Sequence, residues 1–569
     1  MTARAVPVVP APDCKRGCEL SLWVDHQRLL GLQANRAEPC DFCLRHAQLL
    51  DSGRRLVVPL RPRGGRRATS AETAAVFDPC TWQEAVETAG LALRQAQLDD
   101  HALLWISSGR PSPLDLLPRR IGRLTKQCVH VERRLPRQTI AQLAATASIA
   151  TVPPEHDLLV FWGGGSDSYR FSELPRIVID PRAVEPRAGT LHLAVRPGAD
   201  AVLASAWGAR FESSSRVTTD AGGVHESALD DACRSIRAAR APLFVLGPGL
   251  GRYPHAAWTV RCIAALSEQL GASLVAPAVQ HDLCARAEVP VGGRYRLIGS
   301  GALTAALESL TARQTVVVIE GGDPFTIPGH SAALRKFLRH ASRVIQFGLE
   351  PNTATEFADL VVPVLSPWEH VERCAVPTAE GVREGHAALS SPRDLVGETK
   401  FWRRVARSVD WPERWFPAEA QEWIDQTDDR SRAQLDSAEC GPSAALRESG
   451  EGPTTTPEIY AAYRLWMVPG ESSAQSRWDL RDVAGTEVVL AAADAQRRGL
   501  ITGATAVVHN QRGSLHATVI VSEAQPSGIA SIDPAGPGGA SLAALAEPAI
   551  GGPWGGETWG SFLVEVSPP

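Results

Sequence analysis

Residues 158–206 constrain the chain most. They read LLVFWGGGSDSYRFSELPRIVIDPRAVEPRAGTLHLAVRPGADAVLASA. Short apolar runs, LLVFW, RIVID and LHLAV, alternate with glycine, proline and charge. The runs are too short for helices and too uniformly apolar for half-exposed strands, which predicts strands buried on both faces of a parallel sheet. Such a sheet presents its ligand-binding groups at the carboxyl ends of its strands. Here those ends carry Gly163, Gly164, Asp180, Arg182, Arg196, Gly198 and Asp200.

That set of residues suits a nucleotide-type ligand. Glycine lets a phosphate approach backbone amides because no Cβ blocks it. Asp180 and Asp200 are acceptors for ribose hydroxyls or a base edge. Arg182 and Arg196 offer planar forks for phosphate. The alternative is a set of ordinary strand-end turns, where Gly, Asp and Pro are common.

The chain has 569 residues, enough for three or four domains. Apolar residues make up 44% and charged residues 21%, with a formal net charge of -5, so nothing global points to nucleic acid. The 42 prolines and 48 glycines fit many strand–loop–helix joints. No apolar run approaches the ~18 residues a membrane helix needs. The N-terminus MTARAVPVVPAPDC lacks a charged-then-apolar leader pattern, and the expected location is the cytoplasm. There the 11 cysteines act as thiols or metal ligands rather than as disulfides.

Cys14 and Cys18 form one close pair, and Cys40 and Cys43 another. Between them ELSLWVDHQRLLGL predicts a β-hairpin around Asp25 and His26. Two thiolate pairs brought together by a hairpin make a tetrahedral sulfur site, which suits an iron–sulfur cluster or zinc. The alternative is two unconnected pairs. Further along, WQEAVETAGLALRQAQ predicts a helix and HALLWISS a buried strand. PLFVLGPGLG places Gly247, Gly249 and Gly251 between a strand and a helix, a pattern that close helix–strand packing explains as well as ligand binding. TVVVIEGGDPF repeats the strand-then-glycine arrangement at Gly321, Gly322, Asp323 and Pro324. Residues 411–459 are acidic and Ser/Pro-rich, a linker pattern. From about residue 460, short strand patterns separated by a DAQRRG helix and glycine turns predict a small closed β-barrel.

In chain order, the WG-plus-glycines turn, VIDPR, RPGAD, GGDP, the ADLVVP strand and the DAQRRGLITG and RGS segments resemble the molybdopterin oxidoreductase family. The style is closest to formate dehydrogenase and to the B-type chain of formylmethanofuran dehydrogenase. The resemblance covers nearly the whole chain. It implies a multi-domain α/β fold: two Rossmann-like, doubly wound domains around a cofactor funnel, a small Cys-rich N-terminal β domain and a C-terminal β-barrel. The corresponding boundaries are 1–60 for the Cys-rich domain, 61–150 plus 306–410 for a discontinuous Rossmann-like domain, 151–305 for the second, 411–459 for the linker and 460–569 for the barrel.

By the same resemblance, a guanine dinucleotide of molybdopterin, carrying Mo or W, contacts Gly163, Gly164, Asp180, Arg182, Arg196, Gly198 and Asp200. Gly322, Asp323, Pro324, Thr353 and Glu356 join it from the next unit, and His509 and Asn510 from the barrel. For the last two, capping of a hairpin is the rival role. The implied cluster is [4Fe–4S] on Cys14, Cys18, Cys40 and Cys43, although the family's first cysteine is missing and Cys40 would replace it, so zinc stays open. The implied substrate is a C1 compound at the formyl or formate level, small or carrier-bound, in a complex with other subunits. Two departures stand out. Formate and formylmethanofuran dehydrogenases hold the metal with a Cys-His or selenocysteine-His pair, whereas this chain has CVHVERRL, with Arg133, Arg134 and Leu135 nearest the ligand position. The loop that usually ends in Glu-Gly-Arg keeps Glu380 and Gly381 but has Val382. Both favour a second possibility, a redox-inactive member of a formyltransferase/hydrolase complex that keeps the fold.

Overall fold

The computed structural model describes residues 4–8, 20–25, 28–34, 41–50, 55–64, 76–98, 100–107, 117–133, 140, 156–164, 174–182, 184, 188–212, 221–253, 255–275, 295–369, 372–375, 382–385, 387–417, 422, 465–469, 486–532, 539–546, 550–551, 556–557 and 562–569. The fold is mixed α/β with several sheets. It divides into two compact units. One comprises Met1–Arg133, Gln280–Cys440 and Ser473–Asp482; the other comprises Arg134–Val279, Gly441–Ser472 and Val483–Pro569.

The first unit opens with an antiparallel sheet of β1 (Arg4–Val8), β2 (Leu20–Asp25) and β3 (Arg28–Ala34). β2 and β3 are the hairpin expected from the sequence. Period-two alternation turns Leu20, Leu22 and Val24 inward, where they meet Cys43 and Trp368. Cys43 belongs to the helix Asp41–Leu50.

The larger sheet of this unit uses β4 (Leu60–Pro62), β5 (Phe77–Pro79), β6 (Ala102–Ser107) and β7 (Cys128–Glu132). After the excursion into the second unit, β13 (Tyr295–Gly299), β14 (Thr315–Glu320), β15 (Arg343–Gly348) and β16 (Leu360–Pro363) complete it. Its order is β13-β7-β6-β14-β15-β16-β4-β5. The first six run parallel, and β4 and β5 add an antiparallel edge. β13 pairs with β7, so residues 295–299 belong to this sheet, whereas the sequence grouped them with the second domain. The helix Trp82–Gln95 starts at a capping box: Thr81 accepts from the Glu84 amide and the Glu84 carboxylate accepts from Thr81. Its Ala85, Ala89 and Leu93 pack with Trp105, Val318, Phe347 and Trp402 in one core. A short antiparallel pair, β17 (Glu372–Ala375) and β18 (Val382–Gly385), follows.

The second unit contains a five-stranded parallel sheet: β8 (Leu158–Trp162), β9 (Arg176–Ile179), β10 (Thr190–Leu193), β11 (Pro242–Leu246) and β12 (Ser273–Val275). Every residue of β8, β9 and β11 is buried. Alternation sends Leu158, Val160 and Trp162 to one core and Leu159 and Phe161 to another, which explains the unbroken apolar runs. The order is β10-β9-β8-β11-β12. The chain therefore steps outward from β8 in one direction, then returns and steps outward in the other, and the reversal lies between β8 and β11.

The same unit holds a closed barrel of β19 (Leu465–Pro469), β20 (Glu487–Ala491), β21 (Thr505–Asn510), β22 (Gly513–Ser522), β23 (Ile529–Ile532) and β26 (Phe562–Ser567), with a small hairpin of β24 (Ile550–Gly551) and β25 (Gly556–Glu557) inserted. The DAQRRG segment forms the helix Ala492–Arg497 after β20. Asp494 is buried beneath it and accepts from the Gly528 amide at 2.6 Å, anchoring the helix to the turn before β23.

Candidate functional site

Because the second sheet is parallel, the carboxyl ends of its strands share one edge. Open α/β sheets bind ligands at this edge, at the point where strand order reverses. Gly163 and Gly164 follow β8 and take positive φ values of 77° and 87°. Gly247 and Gly249 follow β11. The Gly247 amide donates to the Trp162 carbonyl at 2.7 Å, and the Gly249 amide to the Gly163 carbonyl at 2.7 Å. A methyl group on Gly247 would lie 2.4 Å from the carbonyl oxygens of both Gly163 and Gly164. One on Gly163 would lie 2.9 Å from the Leu250 amide. These glycines thus let two loops of the chain embrace. The space beside Gly163 is filled by Leu250, so packing between loops accounts for the glycine there.

Asp180 ends β9 and is buried. It accepts from Arg182 Nε at 2.9 Å, Nη2 at 2.8 Å and the Arg182 amide at 2.9 Å. Burial works against its carboxylate, but the Arg182 charge and hydrogen bonds, with Arg252 behind them, hold its pKa below the ordinary value. The two residues of the DPR segment read separately from the sequence are therefore one ion pair.

Asp200 opens the helix Asp200–Glu212 and is also buried. Trp162 Nε1 donates to Asp200 Oδ1 at 2.8 Å. Burial pushes the Asp200 pKa up to about 6; the Trp162 hydrogen bond opposes the rise and the Asp180 charge adds to it. Trp162 itself is fixed in an aromatic group with Trp207 and Phe244, at centroid distances of 6.0 and 6.4 Å. The Arg196 backbone bonds to Gly222, and Gly198 turns at φ 79°.

Three further residues reach this edge. Arg252 is buried, and its charge acts on both Asp180 and Asp200. The Tyr253 and His255 rings stack with centroids 5.5 Å apart and planes 19° apart. His255 Nε2 bonds the Gly198 carbonyl at 3.2 Å. Burial lowers the His255 pKa, against the pull of that carbonyl. Sequence reading singled out the glycines of GPGLG but missed the RYPH that follows. The available signal was a charged and aromatic run directly after a glycine turn at a strand end.

In the first unit, Gly321, Gly322, Asp323 and Pro324 follow β14. Asp323 is completely buried, and its carboxylate accepts from the Phe325 amide at 3.0 Å and the Thr353 amide at 3.1 Å. The turn after β14 and the loop after β15 are thereby joined through one side chain. Glu356 is exposed, 3.9 Å from Arg335. Arg133, just beyond β7, is buried and donates to Thr326 Oγ1 at 2.8 Å and to the Thr326 carbonyl at 3.1 Å. Cys128 is a fully buried core residue whose thiol pKa burial raises strongly. His130 bonds Ser107 Oγ at 2.8 Å and the Tyr295 hydroxyl at 2.7 Å.

At the end of β21, Asn510 donates to the carbonyls of Leu545 and Leu563 at 3.0 and 3.3 Å and accepts from the Arg512 amide at 2.9 Å. It caps the β21–β22 hairpin. His509 lies opposite Ser514 and Glu565 in register. Of the cysteines proposed as metal ligands, Cys14, Cys18 and Cys40 lie outside the described residues. Cys43 is buried in the N-terminal core.

Two predominantly parallel sheets and a closed six-stranded barrel define a multi-domain α/β protein. A family model described as the molydopterin dinucleotide binding domain matches residues 470–550, which include β20 to β23 of the barrel. No curated protein matches the chain. Among solved structures, acetylene hydratase from Pelobacter acetylenicus is similar with a TM-score of 0.71 at 15% identity, over 99% of this chain and 100% of that one. That likeness is one of fold. The domain match and the shared fold together support the molybdopterin oxidoreductase family, and the domain match supports a molybdopterin dinucleotide as cofactor. Among the described residues, no helix is long and apolar enough to cross a membrane.

Proposed function

We propose that the chain binds a molybdopterin guanine dinucleotide carrying Mo or W and serves a cytoplasmic complex that converts a C1 substrate at the formyl or formate level. An N-terminal [4Fe–4S] cluster on Cys14, Cys18, Cys40 and Cys43 would relay electrons, with zinc as the alternative there. The observation that carries the proposal is the dinucleotide-binding match over residues 470–550. The chemistry of the second sheet's edge fits such a ligand. Arg182, Arg196 and Arg252 bring guanidinium groups for a diphosphate, and Asp200 brings a buried carboxyl for hydroxyl or ring donors. When bound, the group supplies the metal and its redox chemistry, and the chain supplies orientation and charge.

Arg133 favours a second reading. Where the family resemblance expects a metal-ligating Cys-His pair, this chain holds a buried guanidinium bonded to Thr326. A member of a formyltransferase/hydrolase complex that keeps the fold without redox turnover suits that feature. The fold also occurs in a protein whose name describes a hydration rather than an electron transfer. Elemental analysis and pterin extraction on the purified chain decide between the two. Molybdenum or tungsten with pterin supports the oxidoreductase; a chain free of both supports the redox-inactive role.

A further inference from the structure

Ser107, Glu132 and Glu320 are the last residues of β6, β7 and β14 in the eight-stranded sheet. They lie abreast: Ser107 is in register with Glu132 on one side and with Glu320 on the other. Residues in register on adjacent strands share a face, so a serine stands between two buried acidic residues. His130 precedes Glu132 by two residues and shares that face. Its Nε2 is 2.8 Å from Ser107 Oγ, and its Nδ1 is 2.7 Å from the Tyr295 hydroxyl on β13. His130 and Tyr295 are buried, whereas Ser107 keeps part of its surface exposed. The accessible end of the relay is therefore a hydroxyl. A satisfied core histidine is the plainer role for His130, but an apolar side chain would fill the same space beside Cys128 and Trp105 without needing two polar partners. A hydroxyl, an imidazole and a third group that orients the imidazole is the arrangement that activates a weak nucleophile.

We propose that Ser107 is a nucleophile for acyl transfer, with His130 as its general base and Tyr295 as a positioning residue. Burial raises the Tyr295 pKa, so its hydroxyl stays uncharged. When Nδ1–H donates to the Tyr295 oxygen, Nε2 has its lone pair free for the Ser107 proton. The flanking Glu132 and Glu320 disfavour anionic substrates, and the class that fits is a small uncharged carboxylic ester. Ser107 Oγ bonds to the ester carbonyl carbon as His130 Nε2 takes the hydroxyl proton. The bond from that carbon to the alcohol oxygen breaks, and the alcohol leaves with the proton. Water then attacks the acyl-serine, His130 takes a proton from the water, and Ser107 recovers it as the acid departs. No electrons change hands, so the activity stands apart from the dinucleotide reading and from the metal content.

The test incubates the full chain with an uncharged fluorophosphonate, maps the adduct by peptide mass spectrometry and measures the labelling rate against probe concentration. The expected result is an adduct on Ser107 that is absent from Ser107→Ala. His130→Gln is expected to lower the maximal labelling rate roughly 100-fold or more. Tyr295→Phe keeps the ring and is expected to lower the maximal rate at least about 10-fold, with the probe concentration at half-maximal rate unchanged. A folded parent with no adduct on Ser107, or an equal rate in His130→Gln, overturns the nucleophile. A parent-like maximal rate in Tyr295→Phe overturns the positioning role. Hydrolysis of p-nitrophenyl acetate by the parent no faster than by Ser107→Ala overturns the ester substrate. Where His130→Gln does not give a folded chain, His130→Asn takes its place.

Discussion

The Gly249 amide donates to the Gly163 carbonyl at 2.7 Å, bonding the loop after β11 to the loop after β8 where the sheet reverses its strand order. Two segments more than eighty residues apart in sequence are thus fixed as one surface. Ligand groups carried by either loop inherit that rigidity.

Gly247→Ala tests this joint. Its methyl group would sit 2.4 Å from two backbone carbonyl oxygens, and backbone cannot yield as a flexible side chain does. Overpacking of this kind costs about 1–3 kcal/mol. The expected outcome is a lower midpoint in chemical denaturation. Gly271→Ala is the comparison: a Cβ there meets nothing within 4 Å, and only its φ of 63° resists the change.

Asp200 makes stability depend on pH. Its folded pKa, pushed up to about 6, lies above the unfolded value of ~4, so the folded state holds a proton that the unfolded state has lost. Its contribution is full below pH ~4 and falls away as pH rises through 6, by about 3 kcal/mol. Asp180 has the opposite sign, since its lowered pKa gives stability that disappears as pH falls. Asp200→Asn keeps an acceptor for Trp162 and removes the titration. Its stability relative to the parent is expected to improve between pH 4 and pH 7; a pH-independent difference counts against the buried carboxyl.

Asp323 separates loop joining from ligand binding. Asp323→Ala removes acceptors from the buried amides of Phe325 and Thr353, an expected loss of about 2–3 kcal/mol. Asp323→Asn retains one acceptor oxygen and is expected to lose about half as much. Denaturant unfolding of both variants measures the ordering, and equal losses would point to the charge rather than to the acceptors.

The proposed N-terminal cluster predicts iron and acid-labile sulfide in anaerobically purified chain, and their loss in Cys43→Ser. Zinc at comparable stoichiometry would assign the thiolates to a structural zinc site instead. A parent chain with neither element removes the metal centre from the N-terminal domain. Cys43 packs with Leu20, Leu22 and Val24, so melting of Cys43→Ser should be recorded alongside the metal content.

Much of the second sheet was legible from the chain alone. LLVFW and PLFVL, and the IVI of β9 after Arg176, are apolar because both faces of each strand are covered, and burial on two sides leaves no polar alternation to misread. The strand ends were equally visible, since glycine and charge must replace apolar residues where a strand leaves the core. The barrel's strands and its DAQRRG helix were also legible, because a short polar helix between apolar runs has few other uses. Sequence placed residues 295–299 in the wrong sheet: YRLIG is a generic strand, and only pairing with β7 decides its neighbours.

What the chain alone determined is which residues follow the strands: Gly163, Asp180 and Asp323 are there, and Asp200 opens the helix after β10, because covalent order and hydrophobic burial put them there. What tertiary structure decided is how each is employed. Asp180 was free to meet a ligand on paper, yet Arg182 folds back onto it; Gly163 looked open, yet Leu250 fills the space beside it; and Arg252, Tyr253 and His255 reach the same edge from a turn ninety residues further on. Partner choice depends on distances between segments that loop closure brings together, and spacing along a chain carries no record of them.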